Sequence, residues 1–209
     1  MTALAVTAIT NFILACETFL FTGMLVKTEK VPRSAAWFWT WALGLLGLGA
    51  LLGGIDHGFV EPLGGAARYP LQRINWLVLG GTTFCTLMTT SRQFFPRNVQ
   101  RVVTVLGVLQ LLAFAILVFT VGDFLVVILN YAPVILLLLV CSLLGLRTGT
   151  GGWPMIIGLV ILVLASAIQA LGVDTFSPLD RSGLYHVISM AGVVFLYLGG
   201  LQLKVDREP

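Results

Sequence analysis

From Val102 to Leu146 the chain carries one charged side chain, Asp123, in an otherwise apolar stretch. As a single helix this stretch would be about 67 Å long at 1.5 Å per residue, roughly twice the hydrocarbon thickness of a bilayer. It must therefore turn back, and Gly122-Asp123 is the place where turn-forming residues interrupt it. The expected product is a tight hairpin of two helices, with Pro133 inside the second and kinking it.

The same reading extends along the chain. A spanning helix needs about 20 mostly apolar residues. Segments 4–26, 35–56, 74–91, 102–121, 124–146, 153–172 and 184–203 qualify, each bounded by charge, Pro or Gly. The chain is 58% hydrophobic and 10% charged, against roughly 45–50% and about 25% for a soluble domain. No Lys or Arg precedes Lys27, so the first segment lacks the basic region of a signal peptide and reads as a spanning helix. The expected fold class is all-α: one transmembrane domain over residues 1–209 with seven transmembrane helices.

Positive charge orients them. With seven spans, one side holds Lys27, Lys30, Arg33, Arg92, Arg97, Arg101, Arg147, Lys204 and Arg207, and the other holds Arg68, Arg73 and Arg181. The richer side is cytoplasmic. The N-terminus is then outside, the C-terminus cytoplasmic, and the cytoplasmic (plasma) membrane the expected location. The basic residues form no face or aromatic-basic motif, so nucleic acid is not an expected partner; the lipid bilayer is. Cys16, Cys85 and Cys141 fall in apolar segments without a CxxC pair and are expected to be small buried hydrophobes. Gly49-xxx-Gly53 is expected to serve packing within the bundle.

Polar side chains inside a membrane are costly and mark candidate sites. The orientation places Asp56, His57, Arg73, Asn75, Asn130, Tyr131, Gln169, Tyr185, His186 and Ser189 in the outer part of the bundle. Glu17 lies about 18 Å deeper at 1.5 Å per residue, and Gln110 is also near mid-membrane. This pattern describes a cavity open to the outside, bordered by Asp56, Arg73, Asn75, Asn130, Gln169, Tyr185 and Ser189. Glu17 is its floor, or else a structural partner of Arg73 or of an amide. His57 and His186 share one depth and are the candidate metal ligands, with zinc the first candidate cofactor and a single haem the second. The structural alternative is a pair of interface histidines bonded to Asp, Tyr or water.

The segments Gly53-Gly-Ile-Asp-His57 and His186-Val-Ile-Ser-Met190 resemble motifs of the ceramidase and adiponectin-receptor superfamily of seven-helix membrane hydrolases. The resemblance implies shared N-out, C-in architecture, a zinc-bound water and an acid on the first helix, the place Glu17 occupies. The sequence departs from that pattern at Gly53, where Ser is expected, and at Met190, where a second helix-seven His is expected. With two histidines in the chain a three-histidine zinc site is impossible. Three functions follow as expectations: a ceramidase-like protein with a degenerate metal site binding a lipid or small amphiphile; a non-enzymatic ligand-binding, sensory or accessory subunit; and a single-haem electron carrier.

Overall fold

The computed structural model describes residues 3–28, 31–172 and 179–205. Seven helices follow one another: α1 (Ala3–Val26), α2 (Ala35–Ile55), α3 (Gly65–Phe94), α4 (Arg97–Thr120), α5 (Leu125–Gly145), α6 (Trp153–Ala170) and α7 (Arg181–Gly200). No strand occurs among the described residues. All the helices except α3 are long and apolar enough to cross a membrane, with α2 counted through Leu63. The hairpin expected between α4 and α5 is present, turning at Gly122 with φ 58°. α5 continues through Pro133, whose missing N–H removes one internal hydrogen bond.

Several helix ends lie beyond the positions that charge predicts. α2 continues into a π-helical turn (Asp56–Val60) and a 3-10 turn (Glu61–Leu63). α3 begins at Gly65 rather than near residue 74, α4 at Arg97 rather than 102, and α7 at Arg181 rather than 184. Charge marks where an apolar environment ends, not where backbone hydrogen bonding ends. Arg68, Arg73, Arg97 and Arg101 are all good helix formers.

Helices that follow one another in the chain run antiparallel. Gly53 of α2 faces Asn11 and Gly44 faces Thr22 of α1; Gly49 and Gly81 of the α2–α3 pair face Leu79 and Leu45. On the far side, Gly80 of α3 meets Phe114, and Gly107 of α4 meets Met88. The Gly49-xxx-Gly53 pair thus packs within the chain, one glycine against α3 and the other against α1. The closest approach is between α6 and α7, where a Cβ at Gly199 would stand 2.8 Å from the Met155 backbone.

Around the bundle, α1 packs on α2 and α7, α6 on α7, α5 on α3 and α6, and α4 against α3. α3 is therefore covered by α2, α4 and α5. This explains its low apolarity: Thr82, Thr83, Thr86, Thr89 and Thr90 are buried, and each hydroxyl donates to the carbonyl four residues earlier. A helix enclosed by protein can carry such self-satisfied hydroxyls without exposing them to an apolar surround. The main core joins Leu25, Trp39, Leu43, Met88, Leu138, Leu159 and Leu196, and Trp39 Nε1 donates to the Leu196 carbonyl at 3.1 Å. Cys85 is buried as expected; Cys16 instead lies exposed on the outward face of α1, beside exposed Ile13 and Leu20.

A histidine–carboxylate–arginine network at one pole

α1 and α7 are parallel, and three contacts fix their register. The Thr7 hydroxyl donates to Asp180 Oδ1 at 2.8 Å, Thr10 Oγ1 is 3.1 Å from His186 Nδ1, and Phe21 stacks on Tyr197 at 4.7 Å. Asp180 also caps α7, accepting the Gly183 N–H at 2.7 Å. One carboxylate thereby starts α7 and ties that start to α1. His186 is buried, and its ring lies 5.4 Å from that of Tyr185.

The second histidine stands at the same pole, on the π-helical extension of α2. Gly58 comes against Ala8 of α1, so this extension and the start of α7 flank the same part of α1. His57 Nδ1 is 2.6 Å from Glu61 Oε2, one turn away. Arg68, near the start of α3, closes the group. Its Nε contacts Asp56 Oδ1 at 3.0 Å and Oδ2 at 2.8 Å, and its Nη1 contacts Glu61 Oε1 at 2.8 Å. Asp56 is buried; His57 and Glu61 are about three-quarters covered. The chain of contacts runs Asp56–Arg68–Glu61–His57. Nε2 of both histidines carries no hydrogen bond among the described residues.

Donor atoms of Asp56, His57 and Glu61 lie within 4.8 Å of one another, a spacing compatible with a metal ion. The group does not fit a zinc hydrolase centre. All four carboxylate oxygens are engaged, three by the Arg68 guanidinium and one by His57, so a divalent ion would have to displace a fixed cation. That leaves two free imidazole nitrogens where a catalytic zinc takes three protein ligands. The hydrogen bond that joins the two histidine-bearing helices directly lies toward their other end, between Trp39 and Leu196, and α1 packs on both.

The remaining sequence candidates are distributed. Asn75 faces α2 beside Gly49, with Oδ1 buried and unbonded. Asn130 is a clamp between α5 and α4, where Gln110 Nε2 donates to its Oδ1 at 3.0 Å. Tyr131 lines a small internal cavity of about 20 Å³ with Trp39, Thr82 and Thr86, room for roughly one water. Gln169 ends α6 with no side-chain hydrogen bond among the described residues. Glu17 is half-buried, with Oε2 unbonded, between the levels of the Thr10 and Phe21 contacts to α7. It does not pair with Arg73, which packs on the α4–α5 side of α3. Glu61, Arg68, Thr7, Thr10 and Asp180 take part without having been singled out by sequence. Asp180 was recoverable, since Asp-Arg-Ser-Gly before an apolar run is a helix-start signal.

No curated protein and no solved structure matches the chain. A family model described as "Family of unknown function (DUF6962)" matches residues 6–205, nearly the whole chain, and the protein belongs to that family.

Proposed function

We propose that the chain is a seven-span integral membrane protein of the cytoplasmic membrane, N-terminus outside and C-terminus cytoplasmic, whose outer pole binds the head group of a small amphiphile without catalysis. Two features support seven spans. α3 is enclosed by α2, α4 and α5, so its hydroxyls need not face lipid. Parallel α1 and α7 in an alternating bundle imply an odd number of crossings, which preserves the nine-to-three division of basic residues.

The binding reading rests on one observation: His57 is held at Nδ1 by Glu61 while its Nε2 is unbonded. Glu61 selects the tautomer protonated at Nδ1, leaving the Nε2 lone pair to accept from a hydroxyl or ammonium group. Two carboxylates face one guanidinium in the group, an acidic excess that favours a cationic head group. Phe59 and Leu63, 65% and 75% exposed on the same extension, offer apolar surface to the ligand's chain. The test titrates nanodisc-embedded protein with dodecylamine, dodecanol and dodecanoate. The amine binds best, the carboxylate worst, and His57→Ala weakens the amine by at least about tenfold. Equal affinity for all three probes, or an unaltered amine affinity in His57→Ala, refutes the reading.

A ceramidase-like hydrolase is the second reading, favoured by the same Glu61–His57 contact, which prepares Nε2 to accept a proton from water. It requires fatty-acid release from an N-acyl amphiphile by the purified protein, with zinc content measured in parallel. Release that persists undiminished in a His57→Ala, His186→Ala double variant excludes these histidines from the chemistry.

A further inference from the structure

Arg73 sits on the side of α3 away from the histidine network and is 7% exposed. Its guanidinium carbon lies 4.6 Å from the Tyr69 ring centre and 4.4 Å from that of Trp76. Nε and Nη1 are buried without an acceptor, and no carboxylate among the described residues pairs with the group. The α4–α5 turn closes over it: a Cβ at Gly122 would stand 3.4 Å from Nη2. The neighbouring acid, Asp123, directs its Oδ1 to the Leu125 N–H at 2.8 Å instead. Trp76 is braced in turn by Phe124, with ring centres 5.8 Å apart.

Aromatic faces attract a guanidinium but provide no acceptors for its in-plane N–H groups. A nearly buried arginine with unmatched donors is costly unless an anion completes it. The shape of the deficit identifies the anion. A planar fork with several free donors suits an oxygen-rich group such as phosphate, which accepts more than one of them at once. Tyr69 and Trp76 are also residue types enriched at a membrane surface, the level of lipid phosphates.

We infer that Arg73, walled by Tyr69 and Trp76 and capped by the Gly122 turn, is a binding site for a phosphate group, carried by a lipid head group or free in solution. The site shares no residue with the histidine network, and its phosphate arm does not depend on the amphiphile-binding reading.

Two probes distinguish the sources. Native mass spectrometry of the full chain scores retention of phosphatidylglycerol against a diacylglycerol, which lacks the phosphate, and thermal unfolding in detergent is followed with added inorganic phosphate. Arg73→Gln removes the charge. Gly122→Asp keeps it but sets a carboxylate beside Nη2, and Asp is among the residues that tolerate a positive φ. This second variant neutralises the arginine internally and guards against a folding defect in the first. The wild type retains phosphatidylglycerol at least about tenfold better than either variant if the source is lipid. Stabilisation by inorganic phosphate, lost in both variants, identifies a free anion instead. Probe binding that is the same in wild type, Arg73→Gln and Gly122→Asp overturns the inference.

Discussion

Removing Arg68 tests whether the polar network is a coupled unit. In Arg68→Met the buried Asp56 loses both of its contacts and Glu61 loses one, while the apolar stem is largely kept. Breaking a fully buried ion pair costs about 3–5 kcal/mol, and an exposed pair contributes about 0–1 kcal/mol. Here the Asp56 side chain is 9% exposed, but Arg68 and Glu61 are 24% and 27% exposed. Solvent screening therefore brings the expected cost to about 2 kcal/mol. For a chain of this size that corresponds to a fall of roughly 4–8 °C in Tm. The cost arises from a stranded carboxylate, so neutralising that carboxylate should recover much of it. Thermal unfolding of purified protein, followed by tryptophan fluorescence, is measured for Arg68→Met, Asp56→Asn and the double variant. The double variant is expected to regain at least half of the Arg68→Met loss. Strictly additive losses would show that the residues act independently and refute the network.

Two further outcomes follow from the packing. Gly199→Val places a branched side chain where a Cβ already meets the Met155 backbone at 2.8 Å; separating α6 from α7 should cost about 1–3 kcal/mol or more and lower the yield of monodisperse protein. Gln110→Leu removes the α4–α5 clamp to Asn130, and a loss of about 0.6–1 kcal/mol is expected, a Tm decrease of roughly 1–4 °C.

Helices whose surfaces meet an apolar surround were the easiest to read. α4 and α5 display exposed Leu, Val and Ile along most of their length, so apolar runs and one Gly-Asp turn were enough to locate both. α3 was harder, because burial on several sides lets it carry threonines and arginines that resemble a boundary. That same misreading concealed the site. Ending the second helix at Asp56 left Glu61 in a loop, although four residues after His57 it lies one helical turn away. The contacts of Thr7 with Asp180 and of Thr10 with His186 span most of the chain, and no local pattern encodes the register of α1 against α7. Depth along a helix could be estimated from sequence, but rotation about its axis could not. Arg73 was consequently placed on the same cavity as Asp56, when it packs on the α4–α5 side of α3.

The central claim, that the histidine network faces outward on a seven-span bundle, is tested most directly by labelling single cysteines from outside intact cells. With Cys16, Cys85 and Cys141 replaced by serine, Leu63→Cys marks the pole of the network and Thr148→Cys the opposite pole, after α5. A membrane-impermeant maleimide should label Leu63→Cys in intact cells and Thr148→Cys only after permeabilisation. The reverse pattern would place the network in the cytoplasm, and labelling of both from outside would contradict the seven-span topology.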